Sequence, residues 1–276
     1  MPPDDNPAEY GPRPLDLDTP NAARLYDCFL GGAHNTATDR KVAREFATMA
    51  PHWTLGARLN RSFLRHAVRF MAEQGIDQFL DLGSGIPTVG NVHEIAQQAN
   101  PDARVVYVDY EPVAYGAAHE MLAGNPNATI LHADLREPDV VLNHPETREL
   151  LDFSRPLGLL IVGVLLFLPA EDRPEQIIET YRDRLVPGSY LGISQASHEN
   201  VTPDVSAEID RVVATYRSVN EQLTLRSKAE IESWFAGTEL VEPGLVPYPD
   251  WRFDDEQLTE AELACRFGYV GVGRKL

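Results

Sequence analysis

The first part of the chain has apolar residues at helical spacing. After a proline-rich start, such stripes predict helices over 21–30, from about residue 39, and over about 57–74. Glycines that follow the last apolar positions, Gly31 and Gly75, mark the ends of the first and third of these helices. The sequence therefore predicts a helical region before any strand.

From residue 78 onwards, short apolar runs alternate with helical stretches. Strands are predicted over 79–82, 105–109, 129–132, 159–163 and 190–194. Helix starts between and after them are marked by capping boxes at 91–94 and 227–230 and by first-turn prolines at 112 and 203. Such alternation predicts a mostly parallel sheet with helices on both faces. Two β-like runs near the end, over 240–246 and 266–273, predict a closing antiparallel pair at the sheet edge.

The composition fits a single domain behind a polar arm. Residues 1–20 hold six prolines and five acids, which predicts a disordered or extended arm. Residues 21–276 are then predicted to form one domain, with a helical cap over 21–77 and an α/β core over 78–276.

The net charge of −18 limits the kinds of molecule that the protein is expected to bind. Such a surface repels nucleic acid phosphates and anionic membranes, so we expect a small-molecule substrate. The longest apolar run, 157–169, is shorter than the about 20 residues of a membrane span, and no signal peptide is visible. Two cysteines, Cys28 and Cys265, fit no metal or redox motif, so we expect reduced thiols, no metal and a cytoplasmic location.

A glycine turn follows the first predicted strand. The run Phe79-Leu80-Asp81-Leu82 leads directly into Gly83-Ser84-Gly85. Glycines there let the backbone approach a ligand closely, and Asp81 brings a carboxylate to the carboxyl end of the strand, where open α/β sheets bind ligands. A carboxylate at this point suits a ligand that carries a positive charge.

Two further acids end the next two strands. Asp109 closes the second strand and Asp134 follows the third, so we expect them to lie in one crevice with Asp81. An acid after the second strand can accept the hydroxyls of a ribose, and one after the third can accept the amine of adenine. Asp81 can face an ammonium group. Three acids so placed require a ligand that supplies cationic or donor groups.

A dinucleotide-binding site is the alternative interpretation of the same turn. Its fingerprint needs a third glycine at position 88, where this chain has Thr88 after Pro87, and Gly90 comes too late. Asp109 fits both interpretations, whereas Asp81 disfavours the dinucleotide. A nicotinamide-dependent oxidoreductase therefore stays an alternative.

These motifs resemble those of the class I S-adenosylmethionine-dependent methyltransferases. The resemblance rests on 81–85, 107–109 and 132–135. The sequence is most similar to the actinobacterial S-adenosyl methyltransferase family that was formerly a domain of unknown function. The stretches that carry this similarity are 23–27, 30–35, 60–64, 86–94, 187–190, 242–246 and 271–274.

The resemblance implies a Rossmann-like α/β fold: a seven-stranded, mostly parallel sheet with an antiparallel last strand, helices on both faces and an N-terminal helical cap. It also implies that S-adenosylmethionine is the cofactor. The implied cofactor-binding residues are Asp81, Gly83, Ser84, Gly85, Asp109, Tyr110, Asp134 and Leu135. The loop 31–35 would be either a lid over the site or a simple turn between helices.

The chain also departs from the family pattern. The motif of amino-methylating enzymes, an Asp or Asn before two prolines and an aromatic residue, is replaced by the apolar run 161–167, which speaks against methylation of nucleobases. Histidines that the family leads us to expect near 166 and 195 are absent, which motivates a further alternative, a catalytically silent cofactor-binding protein. Transfer is expected to an oxygen or a nitrogen atom; an oxygen acceptor usually needs a base, for which His198 and His34 are the candidates.

The acceptor is predicted only coarsely. An apolar stripe of Tyr26, Phe29, Phe46 and Trp53 in the cap is typical either of hydrophobic core or of a site for a partly hydrophobic molecule.

Overall fold

The computed structural model describes residues 16–88, 90–199, 201–218, 221–251 and 257–276. Within them an eight-stranded sheet has the order β3-β2-β1-β4-β5-β8-β6, and β7 pairs with β8. Neighbours from β3 to β5 are parallel, and β8 runs antiparallel to β5, β6 and β7. The strands are β1 (Gln78–Leu82), β2 (Arg104–Asp109), β3 (Ala128–His132), β4 (Gly158–Val162), β5 (Tyr190–Ala196), β6 (Thr238–Leu240), β7 (Val246–Pro247) and β8 (Gly268–Lys275).

Eleven α-helices connect and cover these strands within the described residues. They are α1 (Ala22–Phe29), α2 (Ala37–Met49), α3 (Pro51–Glu73), α4 (Val92–Ala99), α5 (Pro112–Met121), α6 (Pro138–Asn143), α7 (Pro145–Leu150), α8 (Pro174–Asp183), α9 (Pro203–Ser218), α10 (Lys228–Ser233) and α11 (Glu260–Leu263).

The structure confirms the predicted α/β fold and its five parallel strands. The third helix was predicted to begin near residue 57, which is wrong: it begins at Pro51, whose ring occupies the first helical turn. The predicted run 240–246 is two short strands, β6 and β7, which both pair with β8. The main path of the sheet holds seven strands, as the resemblance implies, and β7 is an additional one. Residues 1–15 of the predicted arm lie outside the described residues.

Both faces of the sheet are buried, and alternate residues of each strand define the two faces. Phe79 of β1 packs with Phe63 and Met71 of α3, whereas its neighbour Leu80 packs with Ile178 of α8 on the other side. Because the side chains of a strand alternate, Asp81 lies on the same face as Phe79, and Asp109 follows Val105 and Tyr107 onto it. The two acids therefore face α3.

A third apolar cluster joins the first helices to α9. Phe29 and Phe46 belong to it, with their ring centroids 5.4 Å apart, together with Leu25, Val212 and Tyr216. Burial of this cluster fixes α1 and α2 above the carboxyl ends of the strands. None of the described helices combines the length and the apolar character needed to cross a membrane.

Candidate active site

A cleft that is partly open to solvent lies at the carboxyl ends of β1, β2, β4 and β5. This is where strand order reverses between β1 and β4, the point at which open α/β sheets bind ligands. The cleft has two unlike ends. Its acidic end lies over β1 and β2 and comprises Arg61, Asp81, Gly83, Ser84, Gly85, Asp109, Tyr110 and Glu111. Its aromatic end lies over β4, β5 and β8 and comprises Tyr26, Trp53, Phe167, Tyr216, Tyr248 and Phe267.

The glycine turn after β1 is held against β2. The backbone N–H groups of Gly83 and Ser84 donate to the carbonyl oxygen of Val108 over 2.8 and 3.1 Å. Gly83 has φ +68°, and a Cβ there would lie 2.4 Å from a methyl carbon of Val164. Gly85 has φ +66° and no atom within 4 Å of its Cβ position, so the turn presents bare backbone to open space. Such a turn is suited to a ligand that lies close to the main chain.

Asp81 is a buried carboxyl group, with 3% of its surface exposed. Its pKa is raised to about 7, chiefly by burial, while the nearby Arg61 acts to lower it and Asp109 acts to raise it. A buried acid of this kind is electrostatically incomplete, since its charged form becomes favourable when a cation is placed beside it. The prediction that Asp81 lines the site is consistent with this geometry.

Asp109 is oriented by two backbone donors. Gly85 N–H donates to Oδ2 over 2.7 Å, and Glu111 N–H donates to Oδ1 over 2.9 Å. Its pKa is nevertheless raised to about 6, chiefly by burial and then by the charges of Glu111 and Asp134, against the effect of the two donors. Each carboxylate oxygen keeps a lone pair that a ligand hydroxyl can use.

Glu111 connects this end of the cleft to the cap. Its Oε2 caps α5 by accepting from Ala114 N–H over 2.7 Å, and its Oε1 lies 3.1 Å from Nη1 of Arg24 in α1. Arg24 is 1% exposed and also pairs with Asp39 of α2 over 2.8 Å. One buried guanidinium therefore bridges two helices of the cap and the helix that follows β2.

Asp134 has a different environment from the other two acids. Its carboxylate pairs with Arg136, at 2.6 Å from Nη2, and Arg136 also reaches Asp172 over 3.2 Å. Neither Asp134 nor Leu135 is among the described residues that line the cleft. The three acids therefore do not share one crevice as expected: two face the cleft, and the third is neutralised by an arginine.

Both candidate histidines lie away from the cleft. His198 follows β5, His34 lies in the loop between α1 and α2, and both are exposed and outside the described lining. In that loop Asn35 donates to Asp27 over 2.7 Å and to the carbonyl oxygen of Gly32 over 2.9 Å, which holds it as a turn between helices. The geometry gives neither histidine support as a general base.

Two residues of α3 contribute groups that the sequence interpretation assigned no role. Asn60 donates from Nδ2 to the Tyr26 hydroxyl over 2.9 Å, and Arg61 donates from Nη2 to Asn91 over 2.8 Å. Asn60 Oδ1 and Arg61 Nε, together with the hydroxyl of Ser84 in the glycine turn, are buried without a hydrogen-bond partner in the described part of the chain. Buried polar atoms are normally paired, so these three indicate a ligand that completes them. The sequence did contain a signal for Asn60 and Arg61, since they are adjacent polar residues within the apolar stripe of the third helix.

The aromatic end is built from rings that pack on one another. Trp53 stacks on Phe267 with centroids 5.3 Å apart and planes at 17°, and Tyr248 meets the other edge of Phe267 at 5.8 Å. Gly56 makes this packing possible, because a Cβ there would lie 2.2 Å from Phe267 Cζ. Tyr216 completes the wall and lies 6.4 Å from Trp53.

The fold and the site together define a class of protein. A doubly wound sheet closed by an antiparallel strand, with a glycine turn after β1 and an acid after β2, is the Rossmann-like arrangement of the class I methyltransferases. The chain belongs to the S-adenosyl methyltransferase family, whose model matches residues 8–276.

Two solved structures support this membership. A candidate methyltransferase from Thermobifida fusca YX is 41% identical, with 94% of this chain and 96% of that chain covered and a TM-score of 0.85. A DUF574 family protein from Streptomyces avermitilis MA-4680 is 34% identical, with 95% and 99% covered and a TM-score of 0.87. No curated protein matches the chain.

The protein is therefore an S-adenosylmethionine-dependent methyltransferase, and the resemblance drawn from its motifs is confirmed. The acidic end fits this cofactor: it offers a buried acid in need of a cation, a second acid with free lone pairs, and a glycine turn with open space above it. The nicotinamide alternative loses its support, since the family uses S-adenosylmethionine.

Proposed function

We propose that this enzyme transfers the methyl group of S-adenosylmethionine to a nitrogen or oxygen atom of a small molecule by in-line displacement. The observation that carries the proposal is the division of one cleft into a charged end and an uncharged aromatic end. The first suits a charged nucleoside-like cofactor, and the second suits an apolar acceptor beside it.

The acidic end supplies a partner for each polar part of the cofactor. Asp81 would face its ammonium group, Asp109 would accept the ribose hydroxyls, and the backbone of 83–85 would lie along the methionine part. Arg61 Nε, which lacks a hydrogen-bond partner, belongs to the same acidic end of the cleft. It would donate to the carboxylate group of the cofactor's methionine part.

The adenine would lie beyond the ribose, on the side of β3. Tyr110 lines the cleft there, whereas Asp134 and Leu135 would contact the base from the end of β3. For Asp134 to accept the adenine amine, its carboxylate must keep a lone pair free while it holds Arg136.

The protein's contribution to the reaction is alignment and exclusion of water. When bound, the cofactor supplies an electrophilic methyl group on a positively charged sulfur. The cap helices α1 and α3 contribute walls of the cleft, and Asn60 of α3 donates to the Tyr26 hydroxyl of the aromatic end. Holding donor and acceptor in line removes much of the entropic barrier to transfer. Electrostatic interactions are also stronger in a site without water, because water screens them.

We also propose that 21–276 acts as one domain, with 21–77 as the cap that shapes the acceptor site. The charge of −18 supports a small acceptor rather than a nucleic acid, because a phosphate backbone would be repelled along the whole surface.

Calorimetric titration tests the proposal at the level of cofactor choice. We expect S-adenosylhomocysteine, the product form of the cofactor, to bind with micromolar affinity and NAD to give no heat. Saturable NAD binding without binding of S-adenosylhomocysteine would contradict the proposal. Formation of S-adenosylhomocysteine from S-adenosylmethionine, followed with phenolic, carboxylate and amine acceptors, then tests transfer itself.

A further inference from the structure

We infer that the acceptor of this methyltransferase is a flat, uncharged molecule that reacts through a nitrogen lone pair, such as a nitrogen heteroaromatic or a tertiary aromatic amine. The inference rests on the proposed function and narrows its acceptor. It is carried by the chemistry of the aromatic end, where rings, three hydroxyls and one unpaired amide oxygen meet.

Charged groups within the described lining all lie at the acidic end. Asp81, Asp109 and Glu111 are acids, and Arg61 is the cation that accompanies them. The described side chains of the aromatic end carry no charge, so an anionic acceptor would be desolvated there without a counter-ion from the protein. It would also approach three acids. We therefore expect carboxylates and phenolates to bind weakly at this end of the cleft.

The hydroxyl groups at this end cannot act as general bases. Tyr26, Tyr216 and Tyr248 are buried side chains, and burial raises the pKa of each. They remain protonated at neutral pH, and no described imidazole lines the cleft. An alcohol or phenol at the aromatic end would thus find no group there to take its proton, since the carboxyl groups of the cleft lie at the acidic end. A nitrogen lone pair needs none, because a heteroaromatic nitrogen is neutral and nucleophilic at neutral pH.

The unpaired oxygen of Asn60 favours positive charge on the acceptor. Asn60 is 6% exposed, and its Nδ2 donates to the Tyr26 hydroxyl, whose own proton is given to the carbonyl oxygen of Ala57 over 3.0 Å. These bonds leave Asn60 Oδ1 as an acceptor without a partner. A carbonyl oxygen repels an anion and attracts a cation, and the faces of Trp53 and Tyr216 do the same.

The transfer then balances without a proton. The nitrogen lone pair forms the new N–CH₃ bond while the S–CH₃ bond breaks, and its electron pair stays on sulfur. The sulfur leaves as a neutral thioether, and the positive charge moves from sulfur to nitrogen. The total charge in the cleft is unchanged, and the rings of the aromatic end face the new cation.

Three bicyclic ligands of similar size test the inference by binding. Quinoline is the acceptor type, N-methylquinolinium is its methylated cation, and 1-naphthoate is an anion of similar shape. Each is titrated by calorimetry into the full chain saturated with S-adenosylhomocysteine. We expect both quinoline compounds to bind and the cation to bind at least about tenfold more tightly than the anion. Equal or tighter binding of 1-naphthoate, or no binding of any of the three at millimolar concentration, would overturn the inference.

Two matched variants of helix α3 test whether the preference for the cationic ligand arises at the aromatic end of the cleft. Trp53→Leu and Phe70→Leu each remove a ring from α3, but Phe70 packs on Tyr190 at the amino end of β5, away from the cleft at the carboxyl ends of the strands. We expect Trp53→Leu to reduce the cation preference severalfold and Phe70→Leu to retain it. Phe167→Leu, on another wall of the aromatic end, is measured alongside so that a folding defect in one variant does not decide the result.

Affinity for S-adenosylhomocysteine distinguishes a failure of the proposed function from a failure of the inference about the acceptor. Failure of the unaltered chain to bind it would contradict the proposed function. Normal binding of S-adenosylhomocysteine without a preference for the cationic ligand would overturn the acceptor inference alone.

Discussion

The two ends of the cleft differ in how complete they are without a ligand. At the acidic end, buried carboxyl groups have raised pKa values and several polar atoms lack partners. At the aromatic end, Trp53, Phe267 and Tyr248 pack on one another as in a core. The comparison teaches that the cofactor site is destabilising until it is filled, whereas the acceptor site is part of the packing that holds the cap in place.

The largest expected effect comes from the residue that joins the cap to the acidic end. Arg24→Met leaves Asp39 and Glu111 buried without their cation, which should lower the free energy of unfolding by about 3–5 kcal/mol. Denaturant unfolding measures this change. Arg44→Met, an exposed arginine of α2, is the control and should have little effect. Equal stability of the two variants would mean that the buried pairs are not formed in solution.

Asp81→Asn should separate function from stability. The variant loses the charge that faces the cofactor's ammonium group, so affinity for S-adenosylhomocysteine should fall about 100-fold. Because the folded pKa of Asp81, about 7, lies above the usual aspartate value of 3.8, the ionised carboxylate lowers stability as pH rises through this range. The neutral amide should therefore raise the free energy of unfolding at pH 8 by up to about 4 kcal/mol.

Asp102→Asn, at an exposed turn before β2, is the matched control for Asp81→Asn. Calorimetry and thermal unfolding on both variants test the pair of effects. Unchanged cofactor affinity in Asp81→Asn would remove Asp81 from the site.

Asp109→Ala tests the ribose contact. The substitution removes a carboxylate that accepts two backbone N–H groups and would accept the ribose hydroxyls, so S-adenosylhomocysteine binding should weaken by about 1–3 kcal/mol. Adenine binds without using this contact, so its affinity, measured by competition, should change little. An equal loss for both ligands would indicate that the glycine turn has collapsed instead.

Gly56→Ala tests the aromatic end with the smallest change. The new methyl group displaces the Phe267 ring and costs about 1 kcal/mol of stability. Affinity for quinoline should fall severalfold, and affinity for S-adenosylhomocysteine should stay within about twofold. Gly116→Ala, at a helix position with no atom within 4 Å of the added carbon, is the control. A loss of cofactor affinity in Gly56→Ala would show that the two ends are not independent.

The same contrast explains what the sequence could predict. Asp81, the glycine turn and Asp109 lie within or next to short strands, so strand ends and glycines alone placed them at one edge of a parallel sheet. The local pattern also contained the reason for the different role of Asp134, since Arg136 follows two residues later. That reason was missed because an ion pair is not visible in hydrophobic periodicity.

The aromatic end was beyond sequence reasoning for a physical reason. Trp53, Tyr216 and Phe267 come from α3, α9 and the approach to β8, so tertiary packing alone brings them together. The predicted stripe also mixed two kinds of residue: Phe29 and Phe46 are core, whereas Tyr26 and Trp53 line the cleft. Periodicity identifies a buried face but does not tell core from the wall of a cavity.

The central claim is that Asp81 is a buried carboxyl group that ionises when the cofactor's ammonium group binds beside it. The pH dependence of cofactor binding tests this claim most directly. S-adenosylhomocysteine affinity, measured by calorimetry at pH 7 and at pH 6, should fall about fivefold between them, because the carboxyl group must lose its proton to pair with the ligand's ammonium group. Titrations in two buffers of different ionisation enthalpy should then show release of a proton, and Asp81→Asn should abolish the dependence. Affinity that does not change between pH 7 and pH 6 in the unaltered chain would contradict the account.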